Sequence, residues 1–392
     1  RFRPRMRQAR LFLVRLLLGT VLFVLIGLFG LGYAAGFIPP TVAWWLSPFA
    51  VVLPLTSAVL MPRAFALWLH GLWNRRWLRV AWTSLLLLLC ALRFGPTLPA
   101  FSLPASSAAP SFQIMTFNVS SSVDPGPEAR KMSAMIQRVD PDVVALQETL
   151  LRIRPHRPMR PAPSLQSLLE ADYALPQRVP RRQSVRQVAL SRRVPMDSLH
   201  NLVLGEAHPA PGPTSATRIR FRWQGQRVTL YNIHLHTVSA RKPWSEEPGT
   251  WADWHTWLDP DFWGPYVASY REGAYRRVQQ ARQLRRYIEH ETGPVLVVGD
   301  FNSTRHHWVY RHIANAGLQE AYVQGRPWSG STYPAPFPVV RIDHVLASRH
   351  WHPIDTRVLP DETASDHRPV LTTLRLQPDR MSSRVRSDVH RP

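Results

Sequence analysis

Apolar positions along this chain follow two different rhythms. Up to about residue 94 they come in long runs. Leu16–Ile38 is 23 residues without a charge and Thr41–Met61 is 21. At ~1.5 Å rise per residue each is long enough to cross a bilayer core as a helix. A third run, Val80–Leu92, has 13 uncharged residues, extended by Trp77, Trp82 and Phe94 and flanked by Arg79 and Arg93. Those two arginines are expected to snorkel if it spans; an interfacial helix is the alternative. A cleaved signal peptide competes for the first run, with Ala34-Ala35-Gly36 as its cleavage site. The run exceeds the ~7–15 residues of a signal core, however, and another follows at once.

Beyond residue 110 the runs shorten and alternate. "GPTLPAFSLPASSAAP" (95–110) has the composition of a stiff linker. After it, "SFQIMTFNV", "VVALQE", "VALS" (188–191), "TRIRFRW" (217–223), "RVTLYNIHL" (227–235), "VLVVGD" and "RIDHVLA" (341–347) read as strands, with a further apolar run in "RPVLTTL". Met132, Met135, Ile136 and Val139 share one helical face, as do Val278, Ala281, Leu284 and Ile288. The pattern predicts a membrane anchor over 1–94, a linker over 95–110, a strand-rich mixed α/β (α+β) domain over 111–376 and a disordered tail over 377–392.

Charge sharpens the division. Of 48 basic residues, 11 lie in residues 1–103, all arginine, and all 26 acidic residues lie beyond them. Arginines precede Leu16 and recur at Arg63, Arg75, Arg76 and Arg79, whereas the Pro39 loop is uncharged. The arginine-rich segments are thereby expected on the cytoplasmic side, and three spans would place the α/β domain outside an inner or plasma membrane. Cys90 is the single cysteine, which excludes an intrachain disulfide. The arginine excess suits phosphate-bearing partners, nucleic acid or anionic headgroups, but genome-wide arginine usage would produce it too.

Candidate chemistry sits at strand ends. Asn118, Glu148, His234, Asp300, Asn302, Asp343, Asp366 and His367 each lie at or near the end of an apolar strand. One such residue is an ordinary turn or cap; the set, of types that bind hard cations and move protons, is harder to explain structurally. In order, "MTFNV", "LQET", "YNIHLH", "VGDFNS", "RIDHVLAS" and "SDHRPV" resemble the successive motifs of the endonuclease/exonuclease/phosphatase superfamily, across roughly residues 111–376. That resemblance implies a four-layer α/β/β/α sandwich with the site where the motif loops meet.

It also implies a metal-dependent phosphoric-ester hydrolase, foremost a phosphodiesterase of the nuclease type. A phosphodiester is anionic, so its hydrolysis needs charge neutralisation, an activated water and stabilisation of the departing oxygen. Glu148 is the best ligand for Mg²⁺ or Mn²⁺, with Asn118 and Asp366 as companions. By analogy with the family, Asp300 orients or deprotonates water and Asn302 donates to the phosphoryl oxygens. His367 contacts phosphate or carries a proton, and Asp343 holds its tautomer. His234 matches the family's "N-x-H-L" histidine, although His236 lies on the same strand face. Nuclease relatives pair that histidine with a glutamate, where this chain has Gln187 in "SVRQVALSRR".

Substrate stays open at this level. Trp244, Trp251, Trp254, Trp257 and Trp263 crowd the segment 241–270 as a local core, a base-stacking platform or an aromatic rim in the bilayer. Nucleic acid and phospholipid headgroups are the candidate partners. The alternatives are a sphingomyelinase- or phospholipase C-like lipid phosphodiesterase, a phosphoinositide phosphatase, or an inactive phosphate-binding scaffold.

Overall fold

The uncharged runs of the first hundred residues become helices because every backbone polar group is satisfied within the segment. They are α1 (Phe2–Ala34), a short α2 (Pro40–Ala43) leading through a 3₁₀ turn at Trp44–Leu46 into α3 (Ser47–Trp73), and α4 (Trp77–Phe94). The computed structural model describes residues 2–94, 110–120, 128–148, 165–169, 172–174, 187–205, 216–237, 259–322, 330–360 and 365–377. Most of the expected linker and tail, and Trp244, Trp251, Trp254 and Trp257, fall outside those residues. The chain divides into two compact units.

In the helical unit, Leu11–Ala34, Pro40–Trp73 and Trp77–Phe94 are each long and apolar enough to cross a membrane. The third run is thus longer than its uncharged core. Phe29, Leu53, Leu60 and Cys90 pack inside, while Phe12, Phe23, Val42 and Trp82 point outward, a distribution suited to hydrocarbon rather than water. At the end of α4 the Arg93 guanidinium lies 5.6 Å from the ring centroids of both Tyr33 and Phe37, an aromatic seat for the charge.

The second unit is built on two sheets. One runs β10-β11-β1-β2-β3 and the other β4-β5-β6-β7-β9-β8. The strands are β1 (Ser111–Asn118), β2 (Val143–Gln147), β3 (Gln187–Ser191), β4 (Met196–Leu202), β5 (Ala216–Trp223), β6 (Gln226–His234), β7 (Val295–Asp300), β8 (Leu318–Glu320), β9 (Asp343–Ser348), β10 (Trp351–Val358) and β11 (Val370–Leu376). β1 and β2 are parallel, as are β6 and β7, and the remaining pairs are antiparallel.

Strand alternation sends one set of side chains between the sheets: Phe112, Ile114, Val143, Ile219, Phe221, Val228, Leu230, Leu296, Val298, Val345 and Trp351 are all fully or almost fully buried there. The Phe112 ring stacks on Phe221 at 5.6 Å between centroids and tilts against Trp351 at 5.5 Å, pairs worth about 0.5–1.5 kcal/mol each beyond burial. The opposite set meets helices. Helix α5 (Glu128–Val139) lays Met132, Met135 and Ile136 on Met115, Phe117, Val144 and Leu146. The short α6 (Leu165–Leu169) adds Leu165 and Leu169 to the same layer.

On the other side runs α7 (Pro260–Glu289), with Val278, Ala281, Leu284 and Ile288 buried. Just past its end, Glu291 accepts from Thr229 Oγ1 and Tyr231 OH, both at 3.0 Å, and from Arg220. Thr229 and Tyr231 alternate with the inward-facing Val228 and Leu230, so α7 covers the outer face of this sheet. Helix α8 (Trp308–Ala314) follows β7. The result is the α/β/β/α sandwich expected. Helix α7 begins within the tryptophan-rich segment and includes Trp263.

Topology then fixes where the polar motifs go. β1, β2, β6 and β7 all end at one edge of the sandwich. Asp343, which opens β9, is register-paired with Asp300 at the end of β7. Val370, which opens β11, is paired with Thr116 two residues before the end of β1. Residues after four strands and before two others are therefore delivered to a single rim.

Candidate active site

Four of the candidate side chains meet around one amide. Asn118 Nδ2 donates to Glu148 Oε1 at 3.2 Å and to Asp300 Oδ2 at 3.1 Å, so a carboxylate from each sheet is held to either side of the same nitrogen. His234 Nε2 stands 3.7 Å from each of those oxygens. The Asn118 side chain is itself fixed, because its Oδ1 accepts from Ser120 N at 3.1 Å.

The backbone is shaped for this. Glu148 and Asn302 have φ of +58° and +45°, left-handed values that cost energy for non-glycine residues and cluster at functional sites. Gly299 has φ +134°, and a Cβ there would stand 1.9 Å from Ile233 O. Glycine alone lets β6 and β7 approach closely enough to set His234 opposite Asp300, which are register partners.

Asp300 is buried, and Asn302 N donates to its Oδ1 at 2.7 Å, closing a local turn. Burial pushes the Asp300 carboxyl pKa up, an effect reinforced by Asp343 and opposed by His367, His234 and the Asn302 amide. Asn302 Nδ2 donates to Leu235 O at 3.0 Å and to Asp300 Oδ2 at 3.4 Å. With one hydrogen held by Leu235 O, the expected donation to a phosphoryl oxygen would use the other, now in the longer contact with Asp300.

Behind Asp300 lies the Asp343–His367 pair. Asp343 Oδ2 is 2.9 Å from His367 Nδ1 and both residues are buried; His367 Nε2 faces Asp300 Oδ2 at 3.8 Å. Burial alone would lower the His367 pKa. The Asp343 charge and hydrogen bond, with Asp300 and Asp366 beyond, outweigh it and raise the pKa to about 10. Ser365 Oγ positions this turn, donating to Asn118 O at 2.7 Å and accepting from His367 N at 3.1 Å. Asp366 is exposed, and among the described residues its carboxylate makes no hydrogen bond.

Asp300, Asp343 and His367 offer ligand atoms within 4.8 Å of one another. These three form a possible metal site, at which an ion would have to displace the proton that Asp343 favours on His367. The Glu148 side is a second place where a hard divalent cation could be held. It offers oxygen donors, and two carboxylates converge there with one amide between them.

His236 separates from His234. Its ring contacts Thr237 O at 3.0 Å, its N–H donates to Gln280, and burial lowers its pKa.

Several supporting residues carry no obvious signal in the sequence. Arg277 on α7 is buried and donates to His236 O at 3.1 Å and Thr237 O at 2.9 Å, pinning the chain after His234. Gln147 Nε2 donates to Asn232 Oδ1 at 2.7 Å and Thr116 Oγ1 at 3.0 Å, a buried clip between the two sheets directly below Glu148 and His234. Gln147 and Asn232 at least lie inside the motif stretches "LQET" and "YNIHLH". His344 bridges Glu320 and Ser303 O, both at 3.0 Å, beneath the Asp300 turn.

Among solved structures, similar ones include an endonuclease/exonuclease/phosphatase from Beutenbergia cavernae DSM 12333, 22% identical over 68% of this chain and 72% of that one, TM-score 0.47. A humanized TDP2 of D. rerio is 16% identical over 67% of this chain and 98% of its own, TM-score 0.46. A mannosyl-6-phosphatase of Bacteroides thetaiotaomicron VPI-5482 is 18% identical over 67% and 99%, TM-score 0.45. No curated protein matches the chain. The pattern of the Endonuclease/Exonuclease/phosphatase family matches residues 115–367, from within β1 to His367, and so encloses every one of the converging side chains. With that match covering well over half its length, the chain belongs to this family, whose members are generally divalent-metal-dependent hydrolases of phosphoester bonds.

Proposed function

We propose that the protein is a metal-dependent phosphodiesterase. The observation that carries this reading is the convergence of Asn118, Glu148, His234 and Asp300 around shared hydrogen bonds at 3.1–3.2 Å and contacts of 3.7 Å, with the Asp343–His367 pair behind them. Glu148 would hold Mg²⁺ or Mn²⁺, with Asn118 and Asp366 contributing oxygen donors or ordered water. When bound, such an ion supplies neutralisation of phosphate charge.

The chain's own groups do the rest. Asp300, its orientation locked by the Asn302 turn, positions the attacking water and accepts its proton. His367, charged beside Asp343, stabilises the phosphoryl oxygens. His234, between the two carboxylates, lies where it can donate to phosphate or to the departing oxygen.

Two substrate classes have support. The arginine excess favours nucleic acid, the nuclease-type reading. Three membrane-length helices, and an apolar loop tip beside His367 described below, favour phospholipid diesters.

Reconstituted protein is expected to hydrolyse bis-p-nitrophenyl phosphate faster than the monoester p-nitrophenyl phosphate, in a divalent-metal-dependent way. Faster monoester turnover would make it a phosphatase and overturn the reading. Parallel assays on plasmid DNA and on sphingomyelin or phosphatidylglycerol vesicles separate the two substrates.

We place the three helices across an inner or plasma membrane, with the α3–α4 turn that carries Arg75 and Arg76 cytoplasmic and the α/β domain outside. A C-terminal alkaline phosphatase fusion should be active, and an inactive one would reverse the orientation.

A further inference from the structure

The rim of the candidate site carries an apolar hairpin that the chemistry does not use. Tyr333 and Val340 pair across its base, Tyr333 N donating to Val340 O and Val340 N to Tyr333 O, both at 3.0 Å. The loop between them, "PAPFPV" (334–339), is uncharged. It is fastened to the His367 turn. Ala335 N donates to Asp366 O at 2.7 Å, Arg368 Nε to Ala335 O at 2.8 Å, and the Tyr333 ring lies 4.9 Å from that of His367. At its tip Phe337 is 81% exposed and Val339 67%.

This loop is short of unpartnered backbone donors. Pro334, Pro336 and Pro338 have no N–H, Ala335 N and Val339 N are bonded to Asp366 O and Tyr333 O, and among the described residues only the Phe337 N–H lacks a partner. Unpartnered N–H and C=O groups both keep backbone out of hydrocarbon, so it is the Phe337 and Val339 side chains that enter, with the loop carbonyls left at headgroup depth. Three prolines also leave little conformational freedom to lose on insertion. Arg368 at the loop's foot is suited to an anionic headgroup.

We propose that Phe337 and Val339 dip into a lipid bilayer and bring its headgroups to the His367 side of the site. The same chain has three helices of membrane-spanning length and composition. The 16 residues 95–110 reach at most about 53–58 Å when fully extended, so the bilayer stays within the domain's range. A nucleobase platform would offer more stacking surface than one Phe flanked by Val and prolines. The proposal rests on the phosphodiesterase reading only for its consequence, that the substrate is a membrane phospholipid.

The test uses the full chain in vesicles of phosphatidylcholine and phosphatidylglycerol. Cys90 is the sole cysteine and is fully buried, so a thiol from Phe337→Cys can be labelled selectively with the environment-sensitive dye NBD. Gln224→Cys, on the exposed turn at the far end of β6, is the control. The 337 label is expected to brighten severalfold relative to detergent-free buffer values for a free thiol adduct and to be quenched by nitroxide on lipid acyl chains, with the 224 label unaffected. A 337 label that reports water and escapes quenching overturns the proposal, as does one that responds to single-stranded oligonucleotide instead of lipid. Turnover of bis-p-nitrophenyl phosphate by the unsubstituted chain is measured separately. Quenching without turnover would sink the enzymatic reading alone, and turnover without quenching the membrane one alone.

Discussion

Asp343 and His367 share a 2.9 Å hydrogen bond inside the domain, carboxylate to Nδ1, although one opens β9 and the other precedes β11 in the opposite sheet. The bond fixes the ring so that Nε2 faces Asp300. It also keeps the imidazole charged, and a charged histidine is useful beside phosphate only if it stays charged at working pH.

Asp343→Asn keeps the shape and removes the charge. Phosphodiester turnover should fall by about 10²–10³-fold, the usual scale for a lost proton-handling group. The alkaline limb of the pH–rate profile should also move down from the region of the His367 pKa, about 10, toward the ordinary histidine value of about 6.5. An unchanged alkaline limb would mean that His367 is not the group being titrated.

Gly299 is a structural requirement of the site. With φ +134° and Ile233 O only 1.9 Å from where a Cβ would lie, Gly299→Ala combines backbone strain with a backbone clash and should cost about 3 kcal/mol or more. Thermal unfolding of the purified variant should show a clearly lower midpoint, or the variant should fail to accumulate folded. A wild-type midpoint would contradict the close approach of β6 and β7.

Stability should depend on Glu320 in acid. Burial would raise its pKa, but Arg341, His344 and the hydrogen bonds from His344 and Tyr310 outweigh burial and hold it at about 2. A depressed folded-state pKa contributes stability above the unfolded value of about 4.3, and that contribution is lost as pH falls toward about 2. Glu320→Gln should therefore destabilise by about 2 kcal/mol at neutral pH. The gap from wild type should narrow steadily below about pH 4.3, measured by unfolding at pH 7 and pH 3. A constant gap would show that the charge is not what matters.

Much of this was legible in the residues. The central strands β1, β2, β5, β6 and β7 have both faces covered or alternate cleanly, so their apolar pattern shows in the sequence. β4 and β10 lie at sheet edges, and "MDSLHNL" and "WHPIDTRV" mix polar and apolar positions because only part of each is buried. That is why neither was foreseen. β9 starts at Asp343, two residues later than "RIDHVLA" suggested.

The catalytic candidates were legible because short-range motifs put distinctive side chains at strand ends. Their supports were not. Arg277 acts through a helix some forty residues away from the carbonyls it holds, and nothing local in "EGAYRRVQQ" marks one arginine among several. The spacing of His234 and His236 could not separate them either. The Gln280 and Thr237 contacts of His236 do.

The claim on which the rest depends is that these strand-end residues form one metal-dependent hydrolytic site organised by Glu148. The most direct measurement is turnover of bis-p-nitrophenyl phosphate against added Mg²⁺ or Mn²⁺, in wild type and in Glu148→Gln. Wild type should show saturable metal activation that chelator abolishes, and Glu148→Gln should lose at least about 10²-fold while its unfolding midpoint stays close to wild type. Metal-independent turnover, or a Glu148→Gln variant as active as wild type, would contradict the account.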